Sequence, residues 1–177
     1  MVRIFLSYVT FPGVIMHEAA HALACRWMGI RVIKTCYLRF GNPMGYVLHE
    51  RPDYAIQHIL VAVAPFFIST LSALSVSVMA CAISAGSIAP EQHERIMYGA
   101  TWLAFSFALH AFPSSGDADA LWDDVLGSSV GFLAKLLLIP VVALIRLTGL
   151  GARYWLDVLF AALVVALPPA FFLFELA

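Results

Sequence analysis

Charge is what this chain lacks most. Of its 177 residues only 12% are Asp, Glu, Lys or Arg, against 62% hydrophobic, and its mean hydropathy is +0.90. A soluble domain carries roughly a quarter of its residues as charges. A deficit this large leaves too little polar surface to face water, so the composition predicts a membrane protein. The few charges nearly cancel, to a net −1, with no basic run and no acidic tail. Nucleic acid is therefore not an expected partner. Cysteine is scarce as well: Cys25, Cys36 and Cys81 are odd in number and form no Cys-x-x-Cys pair. They suggest neither a disulfide framework nor a cysteine zinc site, and read as small buried hydrophobes. No Gly/Ser linker, low-complexity tract or repeat divides the chain, which points to a single domain over residues 1–177.

Several apolar segments are present. The first runs over residues 2–29. From Tyr54 to Pro90 there is no Asp, Glu, Lys or Arg, which suits one long tilted helix followed by a loop, kinked at Pro65. A polar loop "EQHER" at 91–95 precedes a third segment at 96–112, and "PSSGDADALWDD" at 113–124 is a polar break. Two further spans are expected at about 128–148 and 154–174, with Lys135 and Arg146 near enough to the ends of the first to snorkel. Between the first two segments, Cys36, Leu38 and Phe40 alternate with Tyr37 and Arg39, and "GNPMG" signals a turn. Residues 31–50 therefore read as a β-hairpin. The expected fold is an all-α polytopic membrane protein of about five transmembrane helices, with a small β-hairpin between the first and second.

Arg26, Arg31, Lys34, Arg39 and Arg51 cluster around the hairpin, whereas the loop after the second span holds only Arg95. The lysine and arginine bias puts the hairpin in the cytoplasm and the N-terminus outside. The acidic segment at 113–124 then falls on the hairpin side.

Within the first segment lies "MHEAAHALA", residues 16–24. Ionisable groups in an apolar segment are costly and are usually functional. A cleaved signal peptide is disfavoured, because the leading region has a single arginine and cleavage would discard these residues. His17, Glu18 and His21 form HExxH. On a helix, positions i and i+4 are separated by about 6 Å in rise and about 40° in angle, so both imidazoles reach one metal ion. Glu18 projects beside them, where it can take a proton from water activated by the metal. The third ligand must come from elsewhere, and the topology points to "HAFPSSGDADALW". Asp117 and Asp119 lead, with His110 a third candidate. Either aspartate has a competing role as a cap on a helix starting near Ala118, and Asp123 and Asp124 are expected to face solvent. His49 and His58 read as interfacial polar anchors, and His93 as solvated.

"FPGVIMHEAAHAL", the interrupting hairpin, "AVAPFFIS" and "FPSSGDADAL" together resemble the site-2 protease family of intramembrane zinc metalloproteases, over roughly residues 8–125. The resemblance implies a membrane core of about residues 1–125, with accessory helices at 126–177. It implies His17 and His21 as zinc ligands, Glu18 as general base and Asp117 as the aspartate ligand, since Pro113 lies just upstream. The third motif departs from the family pattern, reading "SSGDADA" where Asp-Gly is usual, and no PDZ-like domain is inserted. The implied activity is zinc-dependent cleavage of peptide bonds in or near transmembrane segments. The implied partners are a transmembrane protein or peptide and the surrounding lipid. The implied location is a prokaryotic cell membrane, multi-pass, with the site toward the cytoplasm. The alternative is a membrane metal-binding or scaffold protein of the same fold without protease activity. A transporter is a weaker fit, since no repeat is visible.

Overall fold

The computed structural model describes residues 2–84, 86, 89–126, 131–151 and 154–175. Among these residues the protein is mostly helical, with one small antiparallel sheet. In chain order come α1 (Val2–Val9), α2 (Phe11–Trp27), β1 (Val32–Cys36), β2 (Tyr46–His49), α3 (Ala55–Ser84), α4 (Pro90–Leu109), α5 (Ser115–Leu126), α6 (Phe132–Gly151) and α7 (Leu156–Glu175).

The first apolar segment is two helices rather than one. Pro12 lies in the first turn of α2, where its missing N–H costs nothing. A proline there cannot continue a helix arriving from α1. The chain turns at Thr10, with φ −105° and ψ 34°. The residues expected as a polar loop at 91–95 instead build the start of α4. Pro90 opens that helix and Glu91 sits in its first turn, both favoured there. The break at 113–124 is likewise mostly helix, and α5 begins at Ser115 rather than near Ala118.

The helix expected over residues 54–90 is α3, thirty residues long, with Pro65 inside it. Part of the loop expected after it, at residues 85, 87 and 88, lies outside the described residues, as do residues 128–130 of the fourth expected span. Five spans were expected from the sequence. Among the described residues only α3 is long and apolar enough to cross a bilayer, with Leu138–Thr148 and Leu156–Phe171 as shorter apolar stretches. Lys135 donates to the Leu126 carbonyl at 3.0 Å, and Arg146 pairs with Asp119.

Helix α3 is the hub: α2, α4, α5 and α7 all pack on it. Small residues line these contacts. Ala73 of α3 is buried against Ala104 and Ala108 of α4 and Ala161 of α7, and short side chains let backbones approach closely. At its other end, Ile59 and Ala62 share a core with Ala118, Leu121 and Val125 of α5 and Val142 and Ile145 of α6. Phe66, Phe112 and Phe160 form an aromatic cluster, with ring centroids 4.9–5.7 Å apart. It ties the segment between α4 and α5 to α3 and α7.

The hairpin at 31–50 is present as expected. β1 and β2 are antiparallel, pairing Lys34 with Leu48, Thr35 with Val47 and Cys36 with Tyr46, with an irregularity between Val32 and Lys34. Its tip is cross-braced: the Arg39 amide donates to the Met44 carbonyl at 2.7 Å and the Arg39 guanidinium to the Pro43 carbonyl at 2.8 Å.

Candidate metal centre

Helix α2 carries His17 and His21 one turn apart, and both are buried. Each ring is aimed by a main-chain carbonyl. His17 Nδ1 lies 2.7 Å from the carbonyl oxygen of His110, and His21 Nδ1 lies 3.0 Å from that of Val61. Both carbonyls are free to accept for a reason written in the sequence. His110 is the C-cap of α4, where carbonyls have no intrahelical partner. Val61 lies four residues before Pro65, whose ring nitrogen has no hydrogen to return to it. The proline of "AVAPFF" thus supplies the acceptor that orients His21.

A carbonyl oxygen only accepts, so each Nδ1 carries a proton, and in the neutral form of each ring Nε2 is the lone-pair atom. The two Nε2 atoms face each other at 3.1 Å. Asp117 Oδ2 completes the triangle, 3.6 Å from His17 Nε2 and 3.3 Å from His21 Nε2. Three potential ligand atoms therefore converge, one from each of three residues, and the set could hold a metal ion. Zinc ligands at about 2.0–2.1 Å in tetrahedral array lie about 3.3–3.4 Å apart, which matches this triangle. Carbonyl-anchored histidines are also the usual outer support of a metal ligand. The donor set fits zinc.

Asp117 belongs to a second structure as well. Its Oδ2 accepts from the Ser114 amide at 2.9 Å and from the Ser114 hydroxyl at 2.7 Å, while the Asp117 amide reaches Ser114 Oγ at 3.2 Å. This is a reciprocal capping box at the start of α5. Asp117 thus caps α5 while its carboxylate faces both histidines. Burial works to raise the Asp117 carboxyl, but the neighbouring His17 and His21 rings outweigh it and hold the group well below the ordinary carboxylate range.

The other candidates point elsewhere. Asp119 is exposed and pairs with Arg146 of α6, whose guanidinium also sits 4.9 Å from the Trp122 ring centre. The His110 ring turns away from the triangle, with Nε2 2.9 Å from Thr10 Oγ1, so His110 meets the site through its carbonyl alone. Asp123 and His93 are exposed, and the Asp124 side chain lies outside what the structure describes. His49 and His58 face each other, with ring centres 6.3 Å apart, at the wall of a cavity that also holds the triangle.

Glu18 lies under the hairpin tip. Among the described residues its carboxylate makes no hydrogen bond or ion pair, which leaves it available to a bound molecule. Gly45 is pressed against it: a Cβ added there would lie 2.6 Å from Glu18 Cγ. Tyr8 of α1 holds the other end of the tip, accepting from the Gly41 amide at 3.2 Å and stacking on Phe40. Two cavities meet at His17 and Glu18 beneath this tip. One, of about 530 Å³, runs along β2 past His21 and Asp117, and the other, of about 400 Å³, runs toward α1, Phe112 and Asp157.

The chain matches no protein-family model, no curated protein and no solved structure. The sequence pattern missed the two orienting carbonyls, Gly45 and Thr10. One signal was available: Pro65 four residues after Val61, which frees the Val61 carbonyl.

Proposed function

We propose that this protein is a multi-pass membrane zinc endopeptidase, similar to the site-2 protease family, in which His17, His21 and Asp117 hold the ion and Glu18 is the general base. The observation that carries this reading is the convergence of three hydrogen-free donor atoms at zinc-ligand spacing, with an unpaired carboxylate beside them. A structural metal site has no use for that carboxylate. The membrane part of the proposal rests on composition and on large apolar side chains facing outward, among them Phe67 and Leu71 of α3, Leu144 and Leu147 of α6, and Leu163 and Leu167 of α7. The basic residues around the hairpin support a cytoplasm-facing site.

When bound, zinc supplies the Lewis acidity that polarises a carbonyl and makes water nucleophilic near neutral pH. The chain's own residues do the rest. His17 and His21 are locked in orientation by the His110 and Val61 carbonyls. Glu18 accepts the proton of the attacking water and delivers it to the leaving amine. Among the described residues strand β2 has β1 as its one strand neighbour, and it lines the larger cavity through Tyr46, Val47 and His49. A substrate segment unwound from its helix adds to it as a further strand, which exposes the scissile carbonyl that a helix would hide. The substrate class is a transmembrane segment with helix-weakening residues.

The test compares the parent with Glu18→Gln in detergent, measuring bound metal and cleavage of a generic membrane substrate on one sample. Glu18→Gln keeps its metal and loses about 10²- to 10⁴-fold in rate, the usual share of general acid–base catalysis. His17→Ala loses the metal itself. Equal cleavage by parent and Glu18→Gln rejects the protease mechanism in favour of a metal-binding protein without that activity.

A further inference from the structure

Thr10 is the N-cap of α2, yet its side chain caps nothing. A threonine at this position normally gives its oxygen to a first-turn N–H. Here the residue is 2% exposed, and its hydroxyl donates to the Leu6 carbonyl at 2.8 Å. With that hydrogen committed, the Thr10 oxygen faces His110 Nε2, at 2.9 Å, as an acceptor. The His110 ring must then carry its proton on Nε2. The main-chain oxygen of the same His110 receives His17 Nδ1–H. A continuous path therefore runs from the α1–α2 junction, through one half-buried ring, to the back of a proposed metal ligand.

The ring's seat is made by α2. At Gly13 a Cβ would lie 2.6 Å from His110 Cδ2 and 1.8 Å from the Ser106 carbonyl oxygen. Only a glycine allows α2 to pass this close to α4 with the ring between them. Three residues of α2 and its junction are thus committed to His110: Thr10 bonds its ring, Gly13 makes room for it, and His17 uses its carbonyl.

We propose that Thr10 and His110 are positioning residues for the metal centre. The Thr10 hydroxyl fixes the His110 ring, and the fixed residue aims its carbonyl so that His17 is held with the proton on Nδ1 and the lone pair on Nε2. The inference rests on the metal-centre reading above. Histidine orientation by an outer partner is typically worth 10- to 100-fold in metal affinity.

The experiment uses the full chain in detergent, with zinc and cobalt(II) as probes. Affinities are measured by competition, geometry by the cobalt ligand-field spectrum, and the His17 tautomer by ¹⁵N NMR of the metal-free protein. Thr10→Val removes the hydroxyl at nearly constant shape, Thr10→Ser keeps it, and His110→Phe keeps a ring without the donor. Thr10→Val and His110→Phe are expected to weaken zinc binding about 10- to 100-fold, to alter the cobalt spectrum and to mix the His17 tautomers. Thr10→Ser stays within about twofold of the parent in zinc affinity, since it keeps the hydrogen bond whose loss sets that range. The double variant is no weaker than the worse single, because both break one path. Parental affinity and spectrum in Thr10→Val overturn the inference and leave the metal centre standing. So does equal loss in Thr10→Ser and Thr10→Val, which would assign the effect to packing. A parent protein that binds no zinc overturns both readings.

Discussion

Gly45 and Glu18 are in contact across the hairpin tip, and the space a Cβ would need at Gly45 is taken by the Glu18 side chain, 2.6 Å from its Cγ and 3.0 Å from Oε1. The tip therefore sets where the proposed base stands. Gly45→Ala forces Glu18 into another position while leaving all three proposed ligands untouched. Metal content should equal the parent's, and cleavage should fall by about 10- to 10²-fold, the scale of a misplaced catalytic group. In a Glu18→Gln background the same substitution should cost nothing further. A rate fall of equal size in both backgrounds would show that Gly45 acts by another route.

Pro65 should matter through the hydrogen it lacks. In Pro65→Ala, residue 65 gains an N–H one helical turn beyond Val61 and competes for the carbonyl that orients His21. Zinc affinity is expected to drop roughly 10-fold or more, at the size of an outer-partner loss. Calorimetric zinc titration checks this, and unchanged affinity would mean that the freed carbonyl is incidental.

The third ligand separates from its neighbour by substitution. Asp117→Asn should reduce zinc affinity severely, since the amide is a poor ligand, while Asp119→Asn should leave it at the parental value. Ser114→Ala removes the cap hydroxyl, costs about 1 kcal/mol of stability as cap losses do, and lets the Asp117 carboxylate swing. Its affinity loss should fall between the other two. Metal analysis after dialysis against a weak chelator ranks the three.

Acid should release the metal in a defined way. Zinc binding requires both ring nitrogens bare, so protons compete and affinity falls as pH falls. Asp117 is held well below the ordinary carboxylate range and takes up no proton in the window where histidines titrate. The logarithm of affinity against pH should therefore steepen, as acid is added, to a limiting slope of about two, one proton for each proposed histidine ligand. A limiting slope of about three would add the carboxylate to the count, and no dependence would remove the histidines from the site.

Much of the centre was legible because it obeys helical spacing. His17, Glu18 and His21 are defined by i, i+1 and i+4, and a helix over them was expected. The hairpin was legible from alternation and its turn residues. Asp117 came from a motif, and the structure brings its carboxylate to the two histidines, whereas Asp119 faces Arg146. Less legible was the break at Thr10, hidden inside an apolar run in which only Pro12 marks a new start. The reach of α4 back to Pro90 was obscured because charged residues in a first turn look like a loop. The carbonyls of Val61 and His110 carry no side-chain signature at all.

The aromatic cluster changes how the chain can be divided. Every proposed ligand lies before residue 126, so a shortened chain ending there would hold a complete set of donors. Yet Phe112, five residues before Asp117, rests on Phe160 of α7 at 4.9 Å between ring centres. Arg3 of α1 likewise ends on Asp157, at the start of that same helix. The final helix is thus a buttress for the first and for the segment that leads into the proposed third ligand. A minimal fragment chosen by its ligands alone would keep the chemistry and lose the wall it leans on.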